Sequence, residues 1–178
     1  MGFKQRGLTL IELMITLAVL AVVVGIAVPN FNTMIQNNRS VALGEELAGA
    51  LNFARSEAVK RSSRVTLCAS ADGSACDGDW TDQWIVIVDS ATSDSAPVPV
   101  VGEILRVWES PGTNATIAAV QGASDVDFIR FTDKGLLGMS AGGAIELTSS
   151  LSGCKANSGR KLTVGVAGVL SVARSSCS

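Results

Sequence analysis

The chain has 178 residues, of which 47% are hydrophobic and 17% charged, with a formal charge of −2 and neither His nor Tyr. That length suits one domain with enough apolar material for a core, and the composition is neither disordered nor collagenous. The missing His excludes a His-ligated metal centre and His-based acid–base or triad chemistry, and the near-neutral charge argues against a generally basic nucleic-acid binder.

The first thirty residues hold a concentrated apolar run. Leu13 to Val28 is sixteen residues without a charge, and from Leu8 the run is twenty-one residues with one acid, Glu12. A membrane helix needs about 20 residues. Lys4 and Arg6 precede the run and no acid does, which keeps the short N-terminus cytoplasmic and sends the rest across. A cleavable export signal or a plain single-pass anchor has the same outline. Glu12 sets this segment apart. An acid inside a membrane helix costs roughly 2.5–3.5 kcal/mol on insertion scales and normally has a partner and a purpose. No small-x-small cleavage site follows the run.

Gly7-Leu8-Thr9-Leu10-Ile11-Glu12-Leu13 resembles the class III leader junction of type IV pilins and type II secretion pseudopilins. The resemblance implies that prepilin peptidase cuts after Gly7 and methylates the new amine of Leu8. Phe is usual at that first mature position, so Leu8 is a departure, although an apolar one. Glu12 then stands four residues from Leu8 on the same helix face. In a filament its carboxylate pairs with the amine of a neighbouring subunit, as a recruitment and register device.

Pro29 and Asn30 predict an interruption of the helix. Beyond them Leu43, Leu47, Leu51, Ala54 and Ala58 recur at three and four residues, an apolar stripe for core packing. Glu57 and Arg61 form an i,i+4 pair, and Ser62-Ser63 marks the stop. The expected division is a leader at 1–7, a long helix at 8–62 with its membrane-spanning part at 8–28, and a β-rich extracytoplasmic head at 63–178.

Within the head, strands are expected at Val65–Leu67, Trp84–Val88, Ile104–Trp108, Thr116–Val120, Val126–Phe131, Ile145–Leu147, Lys161–Val166 and Val169–Val172. Asp133-Lys134-Gly135 is a turn signal and Ala167-Gly168 a hairpin turn. Asp89 to Pro99 reads as a flexible surface loop. The fold class is α+β: a long helix packed on a mostly antiparallel β head, possibly in two sheets. Trp80, Trp84, Asp89, Leu105, Arg106, Phe131 and Gly135 make the head resemble the H-type minor pseudopilins and the related minor pilins that start type IV pilus assembly. The resemblance places the Trp and Phe in the core.

Four Cys allow three pairings. The local one, Cys68 with Cys76 and Cys154 with Cys177, is expected. Without a C-x-x-C spacing neither a metal site nor a redox motif is read. Asp72, Asp77, Asp79 and Asp82 cluster, but counting an EF-hand from Asp77 puts Asp82 at the glycine position and Val88 at the closing Glu. No cofactor motif, P-loop or nucleophile elbow is present, and no enzyme activity is expected. After Glu146 there is no acid, while Lys155, Arg160, Lys161 and Arg174 are basic. Gly159-Arg160-Lys161-Leu162 departs by one residue from the G-R-x-R pattern of DNA-binding minor pilins.

The leading functional reading is a non-enzymatic minor pilin that primes type IV pilus assembly near the tip, held in the inner membrane with a periplasmic head. Its implied partners are other minor pilins or pseudopilins and the major pilin, through the helix, and prepilin peptidase. Two alternatives stand beside it: an H-type pseudopilin of a type II secretion system, and a DNA-binding minor pilin whose four basic residues converge on one exposed strip. A carbohydrate-binding or adhesive head would instead need a concave aromatic groove around Trp80.

Overall fold

The computed structural model of the protein describes residues 9–138 and 142–177, and for Pro29 and Asn30 the backbone alone. Among the described residues one helix, α1 (Leu10–Arg61), precedes nine strands: β1 (Val65–Ser70), β2 (Gln83–Asp89), β3 (Val101–Trp108), β4 (Ala115–Gln121), β5 (Ser124–Asp125), β6 (Phe128–Phe131), β7 (Ile145–Leu151), β8 (Gly159–Val164) and β9 (Leu170–Ser175). All pairings are antiparallel. The strands form a four-stranded sheet in the order β3-β2-β1-β6 and a five-stranded sheet in the order β5-β4-β7-β8-β9.

The chain divides into two units after Ile35. In the first, α1 is apolar all round. Every large apolar side chain from Leu10 to Val28 is at least 48% exposed. The segment is long and apolar enough to cross a membrane. Helix is continuous through residues 29–30, where the sequence predicts an interruption. A proline removes one hydrogen bond of the ladder and the remaining bonds carry the element past it.

In the second unit the helix is amphipathic. Leu43, Leu47, Leu51, Ala54 and Ala58 are all buried, at 5% exposure or less. They pack in one cluster with Val65, Leu67, Trp84 and Phe131 of the smaller sheet and Ile145, Leu147, Leu162 and Val164 of the larger. Each such Leu contributes about 1.5–3 kcal/mol by leaving water. The helix ends in a Schellman arrangement: Ser63 N–H donates to Ala58 C=O and Ser62 N–H to Val59 C=O, with Ser62 at φ 49°.

Two turns, one from each sheet, meet under Arg55. Its Nε donates to Gly135 C=O at 3.0 Å and its Nη2 to Ala167 C=O at 3.2 Å. Gly168 has φ +72°, and a Cβ there would overlap the Gly135 carbonyl oxygen. Only glycine meets both demands. The β8–β9 connection is Gly165–Val169, wider than the two residues expected. It is closed by Gly165 N–H to Val169 C=O and Gly168 N–H to Gly165 C=O.

The outer faces of the sheets differ. That of the smaller sheet is covered: Cys68, Ile85 and Ile87 form a second buried cluster with Cys76, Val101 and Phe128. That of the larger sheet meets water along the row Ala118–Thr148–Lys161–Ala173.

Candidate functional site

Glu12 lies in the first turn of α1. Its backbone N–H donates to Thr9 Oγ1 at 3.3 Å, and its carboxylate accepts from Thr9 N–H at 3.5 Å. This reciprocal pair is a capping box. The T-x-x-E spacing of Thr9 and Glu12 signals it in the sequence, where the reading above attends only to a partner outside the chain. The carboxylate also meets the positive end of the helix dipole. Glu12 is exposed in the single chain, so its oxygens have room for a cation. Gly7 and Leu8, the expected processing junction, lie outside the described residues.

Cys68–Cys76 and Cys154–Cys177 are the two disulfides. The first fixes the loop after β1 over the outer face of the smaller sheet. The second ties the end of the chain to the segment after β7, where Cys177 N–H also donates to Ala156 C=O. A closed loop of that size contributes roughly 2–4 kcal/mol.

The segment from Asp89 to Pro99, expected as a flexible loop, is instead held by two arginines. Arg130 is fully buried on β6 and its Nε donates to Asp89 Oδ2 at 2.7 Å. Its other nitrogens donate to the backbone carbonyls of Asp94, Ala96 and Val98. Arg64 donates to Ala91 C=O and Asp94 Oδ1. Asp89 also accepts from Thr66 Oγ1 and from the N–H groups of Ala91 and Val100. Burial pushes the Asp89 carboxyl upward. The amides of Val100 and Ala91, the Thr66 hydroxyl and Arg130 together outweigh it and hold the group below the usual carboxylate range. The sequence shows Arg130 only as a polar residue in an alternating strand; its carbonyl partners carry no side-chain signal.

All three tryptophans are buried. Trp80 Nε1 donates to Val126 C=O and Trp84 Nε1 to Trp80 C=O, both at 2.8 Å. That removes the aromatic groove an adhesive reading requires. The acids near Trp80 shape their own loop. Asp72 accepts from Ser74, Asp77 from Ala71 N–H and Asp82 from Asp79 N–H. The Ser74 hydroxyl and amide lower the Asp72 carboxyl. Among the described residues no three potential ligands gather as a metal site would need.

The four basic residues of the tail do not form one strip. Arg160 and Lys161 are adjacent on β8 and so point to opposite faces. Arg160 lies against the helix near Gly44, with Glu45 at 3.7 Å. Lys161 is on the outer face, 2.8 Å from Glu146. Arg174 is the cross-strand neighbour of Arg160, and Lys155 lies in the loop after β7.

Comparison with known proteins gives the family. Residues 43–168 match the family of type II transport protein GspH, and residues 2–28 match the prokaryotic N-terminal methylation motif. No curated protein sequence matches. Among solved structures, the chain is similar to the type IV minor pilin FimU of Pseudomonas aeruginosa. The likeness has a TM-score of 0.59 at 22% identity, over 79% of this chain and 96% of that one, and a second crystal form gives 0.56 at 22% over 77% and 98%. It is also similar to the minor pseudopilin EpsH of the Vibrio cholerae type 2 secretion system, with a TM-score of 0.52 at 9% identity over 76% and 97%. These likenesses bear on the fold; the match across most of the helix–head unit bears on descent. The chain belongs to the GspH family of type II transport proteins and carries the prokaryotic N-terminal methylation motif.

Proposed function

We propose that the chain is the H-type minor pseudopilin of a type II secretion system. The observation that carries this reading is the match of residues 43–168 to type II transport protein GspH, joined to the methylation motif over residues 2–28. In this reading prepilin peptidase cuts after Gly7 and methylates the Leu8 amine. Helix α1 anchors the subunit in the inner membrane with the head on the periplasmic side. Assembly moves the exposed apolar half of α1 from lipid to the helices of neighbouring subunits. Glu12 then exchanges its contact with Thr9 for a neighbour's Leu8 amine. A carboxylate and an amine paired in an apolar core cost far less than either alone, so correct register is favoured over every displaced one. The head performs no bond chemistry; its lateral contacts order the minor subunits.

A second reading, a type IV pilus subunit that primes assembly near the tip, is favoured by the higher structural similarity to FimU. Deletion of the gene in the native host separates the two. Loss of exported enzymes with normal twitching supports the secretion role. Loss of twitching with normal export overturns it in favour of the pilus. For the DNA-uptake reading, strand alternation puts Lys161 on the face opposite to the Arg160–Arg174 pair, so the four basic residues do not share one strip.

A further inference from the structure

Five arginines of the second unit, Arg55 and Arg61 on α1 and Arg64, Arg130 and Arg160 on the head, end on carbonyl or carboxylate oxygens of the same chain. Arg106 ends on rings. Its guanidinium carbon lies 4.4 Å from the Trp108 ring centroid and 5.7 Å from that of Phe53 of α1, and the two rings meet edge to face at 5.8 Å. Among the described residues no hydrogen bond or ion pair engages its nitrogens, although the side chain is exposed. Ring contact occupies the faces of a guanidinium and leaves its N–H edges free for a planar, two-oxygen acceptor. It also removes much of the rotamer freedom an exposed arginine would lose on binding.

The backbone supports this placement. Val86 pairs with Arg106 but Ile87 with Ile104, so β3 carries an extra residue at Leu105, and a second register shift follows toward Asp89. A bulge on an edge strand re-aims side chains and spoils strand-to-strand pairing, so this edge is fitted for side-chain contact. On α1, Gly49 and Ser56 flank Phe53 on its exposed side, and a Cβ at Gly49 would meet nothing within 4 Å. A partner's backbone can therefore come close to the ring. At the far end of the same seam Arg61 binds Glu57 and Glu103, which supplies a neutralised polar rim.

We infer that the Phe53–Arg106–Trp108 cluster, at the seam of α1 and β3, is a lateral docking site for an aspartate or glutamate of another pilin-class subunit in the same filament. Charge complementarity fixes the class of contact: a pre-positioned cation without an anion, against a pair of aromatics, beside small residues. Arg with Trp is also the composition of interface anchors. The inference rests on the filament-subunit reading.

The test uses the full chain in its native host, with Gly49→p-benzoyl-phenylalanine as photo-cross-linker and Arg106→Glu as the probe. The expected product joins this chain to a subunit carrying an N-terminal methylation motif, through a peptide containing Asp or Glu. Its yield falls at least tenfold with Arg106→Glu and returns when that acid is changed to Lys. The detergent-solubilised variant should melt as the unmodified chain does; where Arg106→Glu lowers the melting temperature, Arg106→Gln replaces it. A pilin-class product of unchanged yield in a well-folded variant, or one that charge reversal fails to restore, overturns the Arg106 site alone. Absence of any pilin-class product, with the chain missing from isolated filaments, overturns the filament reading as well.

Discussion

The two halves of α1 have different solvents. From Leu10 to Val28 the chain places a run of large aliphatic side chains on a surface that its own fold leaves uncovered. From Leu43 to Ala58 the same helix turns a narrow stripe into the core and keeps Glu45, Glu46 and Lys60 in water. A helix hydrophobic all round needs lipid or other helices, whereas an amphipathic one is satisfied by its own sheet. The first half is therefore built for assembly and the second for folding, and substitutions should divide along that line.

The largest expected effect is on assembly. Breaking a buried charge pair costs about 3–5 kcal/mol, so Glu12→Ala should reduce incorporation into filaments by about a hundredfold or more. The melting temperature of the detergent-solubilised chain should not change. Quantitative immunoblotting of sheared filaments, with calorimetry of the extracted chain, reads both. Equal filament levels would break the division of roles.

In the folding half, Arg130→Ala leaves Asp89 buried without its cation and frees the carbonyls of the 89–99 segment. About 3–5 kcal/mol of stability should be lost, measured by urea unfolding. Leu51→Ala, in the centre of the stripe, should cost about 2–5 kcal/mol. Leu20→Ala, on the uncovered half, should leave head unfolding unchanged.

Acid sharpens the same contrast. Asp89 has a folded pKa below its unfolded value, so its stabilisation is present above the ordinary carboxylate range, near pH 4. It is lost as pH falls through the lowered folded value. Glu57, lowered by Arg61 and then Lys60, acts in the same direction. The melting temperature should be flat from about pH 7 to 5 and fall below about pH 4. In Arg130→Ala the acid-dependent part of that fall should shrink, because the depressed carboxyl has lost one of its causes.

The smallest effect is at the helix end. Ser62 holds a left-handed conformation that glycine adopts without strain. Ser62→Gly should stabilise the head by a few tenths to about 1 kcal/mol.

What the sequence made legible follows from what side chains announce. The stripe on α1 and the local cysteine pairs rest on periodicity and spacing, the burial of Trp84 on its apolar run and the family resemblance, and all three appear in the fold. The clamp on the 89–99 segment was hidden because Arg130 bonds to backbone carbonyls, which every residue has. Ser-, Asp- and Pro-rich chain looks loose until the cation that gathers it is known. The wider β8–β9 turn and the meeting of Gly135 with Gly168 depend on contacts between distant turns, which no local pattern encodes. The tail shows the opposite error of reading: four basic residues in sequence resemble a patch, but strand alternation sends Arg160 and Lys161 to opposite faces.

The account depends most on a free amine at Leu8 within reach of Glu12. Mass spectrometry of the chain recovered from assembled filaments should find Leu8 at the N-terminus, carrying one methyl group. Filaments containing chain with Met1 to Gly7 still attached would contradict it.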